Sequence, residues 1–123
     1  MTLNLMTLTD YYPAAPVADI VVTAQISVTL SALIDSGSNG SMIPFNVLAE
    51  VGAEYVETRR VRGVFGHVQV MNVYFVDIQI GDYQVPATHV VGLNPGETAI
   101  VGRDILNYLI VTLDGIGSIT EIS

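Results

Sequence analysis

The chain has 123 residues, half of them hydrophobic and few charged, which fits one folded domain and excludes a disordered chain. Its formal net charge is -8, with no lysine and only Arg59, Arg60, Arg62 and Arg103 as cationic side chains beside two histidines, so the basic footprint that nucleic acid or an anionic membrane surface needs is missing. There is no cysteine, which rules out disulfides, thiolate metal sites and a cysteine nucleophile. No apolar run is long enough to span a membrane. Residues 1–8 lack the basic lead-in and long apolar core of a secretion signal, so a cytoplasmic protein is expected.

Residues 2–9 alternate Leu3, Leu5 and Leu8 with polar residues, with Met6 out of step, and predict a short edge strand. Residues 10–16 hold Pro13 and Pro16 and form a turn or extended linker. Residues 18–34 are rich in Val, Ile, Thr and Leu, too long for one ordinary strand, and fold back near residues 25–28. A short helix is expected over residues 44–51, opened by Pro44 and stopped by Gly52. Strands follow over residues 56–62 and 68–80, joined by the glycine-flanked hairpin tip Gly63-Val64-Phe65-Gly66-His67.

After a turn at Gly81-Asp82 comes a strand over residues 83–91, whose Pro86 indicates an edge or a bulge. Residues 92–97 are a loop, residues 99–101 a very short apolar strand ending on Gly102, and residues 103–108 one or two helical turns. A strand over 109–113, a turn at Asp114-Gly115 and a returning strand over 116–122 complete the chain. The sum is a mostly-β domain with two short helices, and the regular turn spacing favours a closed or nearly closed barrel.

Chemistry concentrates at Asp35-Ser36-Gly37-Ser38-Asn39-Gly40-Ser41. Three apolar residues deliver Asp35 to the end of a strand, and a turn-forming run follows at once, which sets a carboxylate on a tight loop held by a rigid element. Asp-Ser-Gly alone is an ordinary turn. A nucleophilic serine is disfavoured, because Ser36, Ser38 and Ser41 lack a Gly-x-Ser-x-Gly frame and neither His67 nor His89 pairs visibly with them. His67 reads as a solvated hairpin residue and His89 as a half-buried structural one. The start of the loop imitates an EF-hand, but Gly37 and Asn46 occupy places where that loop needs oxygen ligands and a glutamate, so calcium is rejected and no metal site is legible.

Ala32-Leu33-Ile34-Asp35-Ser36-Gly37-Ser38 is matched downstream by Ala99-Ile100-Val101-Gly102-Arg103-Asp104-Ile105-Leu106, with the glycine-tipped hairpin between them. This arrangement resembles the retropepsin-like aspartic proteases, the family of retroviral proteases and their cellular and bacterial relatives. The order of elements extends the resemblance from about Val17 to about Leu113. It implies a single domain over residues 1–123 of acid-protease barrel type, with a core over 17–113, an N-terminal strand and linker over 1–16, and a C-terminal hairpin over 109–123 at a dimer interface.

The resemblance also implies an aspartic endopeptidase that cuts peptide or protein substrates without a cofactor. Peptide hydrolysis by carboxylates needs two of them sharing a proton, one acting as base on water and the other as acid toward the carbonyl. The unequal titration of such a pair is a known property of the family rather than a deduction from this chain. The chain has one Asp-Ser-Gly, so the resemblance implies a homodimer in which Asp35 of each subunit meets its copy at the two-fold axis. Best activity at mildly acid pH is expected, where the pair keeps its proton.

Ser36 and Gly37 would brace the loop. Gly37, Ser38 and Asn39, the flap residues Gly63, Val64, Phe65 and Gly66, and the apolar wall of Ile100 and Val101 would contact substrate. Gly102, Arg103 and Asp104 would be structural at the site. Retroviral members pair the corresponding arginine with an acid. Here that place holds neutral Asn39, and the alternatives for Arg103 are Asp104 of a neighbouring subunit, Asp10 or a backbone carbonyl. Arg59, Arg60 and Arg62 read as a solvated strand face. The rival from another class is a dimeric protein-interaction module that keeps the fold and cuts nothing.

Overall fold

A computed structural model describes residues 2–4, 15–62, 66–117 and 119–123. In chain order the elements are β1 (Thr2–Asn4), β2 (Val17–Thr23), β3 (Ser27–Ile34), β4 (Met42–Pro44), α1 (Phe45–Val51), β5 (Glu54–Arg62) and β6 (Val68–Ile80). They continue with β7 (Tyr83–Leu93), β8 (Ala99–Val101), α2 (Arg103–Leu106), β9 (Val111–Asp114) and β10 (Ile119–Ile122). The expected hairpin tip Gly63, Val64 and Phe65, the end of the first predicted strand and residues 10–14 of the linker lie outside the described residues.

The main sheet runs β2-β3-β8-β4-β7-β6-β5, and β6 also pairs back onto β2 through Ile20↔Ile80, Val21↔Gln79, Val22↔Ile78 and Thr23↔Asp77. That second pairing closes six strands into the expected barrel and leaves β5 outside the ring, attached to β6 alone. Alternation along the strands decides what faces inward: Ile20, Val22, Ile34, Ile43, Ile78, Ile80, Val90 and Val101 are buried together. The β2–β3 reversal falls at residues 24–26, where Gln25 and Ile26 both donate to the Val51 carbonyl and so tie the turn to the end of α1.

Helix α1 follows Pro44, whose φ of -56° suits a helix entry, and buries Val47, Leu48 and Val51. It ends because Gly52 takes a left-handed φ of 73° while donating to the Ala49 carbonyl. Strand β4 is too short to announce itself in the sequence. It pairs parallel with β7 and antiparallel with β8, and thereby joins the two halves of the ring.

Pro86 lies where β7 is paired with β6 alone, because β4 joins β7 only over residues 91–93, and the ladder is also irregular there, so the expected local edge and the expected bulge are both realised. The register shifts between Val76 and Ile78, Ala87 takes φ 52°, and the Asp77 carboxylate accepts the Ala87 N–H at 2.9 Å.

At the C-terminus β1, β10 and β9 form a separate three-stranded sheet, with β1 on the edge as expected. Its turn is longer than the sequence indicates. The Asp114 carboxylate accepts the Gly117 N–H at 2.9 Å, and the return strand starts at Ile119.

Candidate active site

Strand β3 runs parallel to β8 through Ala32↔Ala99, Leu33↔Ile100 and Ile34↔Val101. The ladder continues one step beyond β3, because Asp35 donates its N–H to the Val101 carbonyl at 3.0 Å. On the other side Ile34 donates to the Pro16 carbonyl at 2.9 Å. The backbone that carries Asp35 is thus fixed from both flanks. The half-buried carboxylate accepts the Gly37 N–H on Oδ1 at 2.9 Å, and Oδ2 has no partner among the described residues. A Cβ on Gly37 would lie 3.1 Å from that Oδ1, so a side chain there would crowd the acid.

The loop after Asp35 is locked to the start of α2. Ser38 donates its N–H to the Asp35 carbonyl and its Oγ to the Gly40 carbonyl, while its own carbonyl accepts the Arg103 N–H at 2.9 Å. Asp104 accepts the Ser41 N–H on Oδ2 at 3.0 Å, and on Oδ1 it accepts the Ser41 hydroxyl at 2.7 Å and the Ile105 N–H at 3.0 Å. The same Ser41 Oγ accepts the Gly102 N–H at 3.1 Å. A Cβ on Gly102 would fall 2.8 Å from the Gly40 carbonyl group, so this buried residue has to be glycine for the two segments to touch.

Arg103 donates to the Ser36 carbonyl at 2.7 Å and also to Oδ1 of Asn39. Of the alternatives open to it, the backbone carbonyl is the one that falls among the described residues, and Asp10 lies outside them. Asn39 still serves as acceptor although it carries no charge.

Residues 22–108 match the family model described as "gag-polyprotein putative aspartyl protease". The chain belongs to that retroviral-type aspartyl protease family. The fold is also that of EIAV protease solved with the inhibitor HBY-793, at a TM-score of 0.64 and 18% identity, over 82% of this chain and 93% of that one. No curated protein matches the sequence.

In this aspartyl-protease-family chain a cavity of about 570 Å³ opens beside the Asp35 loop. Ser38, Asn39, Gly40 and Met42 line one side and Arg59 and His89 the other; Asp35 does not line it. Ser38 and Asn39 are both engaged in bracing the loop. Of the two expected wall residues, Ile100 is half-buried, whereas Val101 is fully buried in the core and has no surface to offer a ligand. Gly66, exposed with φ 80°, and exposed His67 are the described members of the predicted hairpin tip.

Arg59, Arg60 and Arg62 are all exposed, as expected of a solvated strand, and Arg59 in addition borders the cavity and pairs with Glu57. His89 corrects the sequence expectation: it is exposed, not half-buried, with its ring 4.3 Å from that of Phe75. The signal for Arg59 was present: a strand's alternation separates it from Arg60 and Arg62.

Among the described residues no cluster of three acids or histidines could hold a metal ion, and no helix is long and apolar enough to cross a membrane.

Asp104→Ala is expected to cost about 2–3 kcal/mol, because it orphans the N–H and hydroxyl of buried Ser41. That corresponds to a fall of about 10 °C in the melting temperature, measurable by calorimetry. An unchanged melting temperature would show that water replaces the carboxylate.

Proposed function

We propose that the chain is an aspartic endopeptidase of retropepsin type, active as a homodimer with one Asp35 from each subunit at the two-fold axis. The observation that carries this reading is the mounting of Asp35. Its backbone is fixed between two strands, one carboxylate oxygen accepts from Gly37, and the other has no protein partner among the described residues. Such a carboxylate is oriented and still available for proton transfer.

In the proposed step, one Asp35 of the pair removes a proton from water as the oxygen attacks the scissile carbonyl carbon. The other, protonated, donates its hydrogen to the carbonyl oxygen. Collapse of the tetrahedral intermediate breaks the C–N bond, and the amine leaves with a proton from the pair. Ser36 and Gly37 support the two loops at the axis. The hairpin of β5 and β6 covers an extended peptide, which binds by main-chain hydrogen bonds with pockets for alternate side chains.

Support for a two-subunit site comes from the C-terminal region. Tyr108, Ile110, Leu113 and Ile116 are apolar and largely exposed there, with Ile116 fully so. Surface of this kind fits burial against a second copy.

The test is cleavage of a peptide library over a range of protein concentrations. The rate per subunit is expected to rise through the dissociation range of the dimer and then level off. A rate per subunit independent of concentration while the protein passes from monomer to dimer would overturn the shared site. A stable dimer that cleaves nothing would leave the interaction module as the better reading.

A further inference from the structure

A groove of about 490 Å³ lies between α1, the middle of β6, the end of β7 and the loop that follows it. Phe45, Asn72, Tyr74, Gly92, Asn94 and Glu97 are the residues that give it its chemistry. It is separate from the cavity at the Asp35 loop. Met42 pairs with Val91 and lines that cavity, whereas Ile43 pairs with Gly92 one residue on, which alternation turns to the opposite face of the sheet.

The wall is aromatic. Phe45 is 48% exposed and its ring stands 6.1 Å from Tyr74 at a tilt of 53°, and Tyr55 meets Tyr74 edge-on at 6.0 Å. The groove stays open because position 92 has no side chain: a Cβ there would sit 3.2 Å from the Tyr74 ring. The rim is anionic. The Glu97 N–H donates to the Asn94 carbonyl at 3.2 Å, a turn that passes through Gly96 at φ 92° and places Asn94 and Glu97 together at the groove. The exposed Glu97 carboxylate has no hydrogen-bond or ion-pair partner among the described residues. Arg60, directly across from Val70 on the neighbouring strand, shares this face of the hairpin and makes no ion pair with Glu97.

We propose that this groove binds the cationic side chain of an arginine from a peptide or protein segment. A guanidinium stacks on an aromatic face and donates in a plane to a carboxylate and to amide oxygens. Those are the three kinds of partner present: the exposed Phe45 ring backed by buried Tyr74, the Glu97 carboxylate, and the side-chain oxygens of Asn94 and of Asn72, which already accepts the Thr58 hydroxyl at 3.1 Å on one lone pair. An apolar ligand would strip water from Glu97 and return nothing to it. The inference stands apart from the proteolytic reading, and the Asp35→Asn protein serves for testing it.

The probe is a capped pentapeptide with a central arginine, titrated into labelled protein and followed by amide chemical shifts. An otherwise identical citrulline peptide, which has the same shape without the charge, is the comparison. The arginine peptide is expected to move the amides of Gly92, Asn94 and Glu97 and to bind at least about fivefold more tightly than the citrulline peptide. Glu97→Gln should remove that preference with an otherwise unchanged spectrum, which also reports that the variant is folded. Equal binding of the two peptides, shifts centred elsewhere, a preference that survives Glu97→Gln, or no shift at millimolar peptide would each overturn the proposal.

Discussion

In the proposed homodimeric peptidase Asp35→Asn is expected to abolish peptide hydrolysis, lowering kcat by at least about 10³-fold, while the fold and the proposed dimer persist. The two effects separate because of how Asp35 is held. Asparagine keeps an oxygen that can accept the Gly37 N–H, and its backbone still donates to Val101, so the loop loses no hydrogen bond. What disappears is the capacity to take or give a proton, and in a paired site it disappears from both members at once. Measurement of kcat at saturating peptide, with sedimentation and thermal melting of the same sample, checks the prediction. Retention of a tenth of the activity would mean that the nucleophilic water is activated elsewhere.

Gly102→Ala is expected to be the most disruptive single-methyl change in the site, at about 2–4 kcal/mol of stability. Backbone conformation is not the reason, since a φ of -98° and ψ of -172° is open to any residue. The reason is contact: the new methyl would lie 2.8 Å from both atoms of the Gly40 carbonyl and 2.9 Å from the Ser38 oxygen, all of them backbone. Relief requires moving the Asp35 loop away from α2. That stretches the Arg103 bond to Ser38 and the Ser41 bond to Gly102. A melting temperature lower by about 10–15 °C should result, together with a loss of activity at temperatures where the protein is still folded. Gly40→Ala is the control, because a Cβ there meets nothing within 4 Å. Equal effects of the two substitutions would refute the contact argument.

Most of the barrel was legible because its signals are local. Period-two apolar runs mark β2, β3, β6 and β7, and Pro44 and Gly52 bracket α1. The candidate site was legible as a motif because an apolar strand ends abruptly at Ile34 and is followed by an acid and small residues at positions 35–37. What escaped depends on distant partners. Strand β4 is three residues whose only justification is its pairing with β7 and β8. Asp104 is expected to be structural at the site, but its partner Ser41 lies 63 residues away and no local signal marks that contact. The His89 environment follows from a cross-strand neighbour, Phe75, and Arg59 meets residues of the Asp35 loop only across the cavity they line together. Sequence periodicity says which face a residue takes but not which other element that face will meet.

The pairing of β2 with β6 has a kinetic consequence. Ile20 and Ile80 pair across about half the chain, and β7 and β8, which complete the ring, come after both, so the circle cannot shut until residues as far as Val101 are in place. Contacts of such long sequence separation come late and slow the search for the native state. Until they form, the facing edges of both strands stay unpaired and offer themselves to other nascent copies. The seam that gives the finished molecule its continuous wall is therefore also a step at which self-association competes with folding.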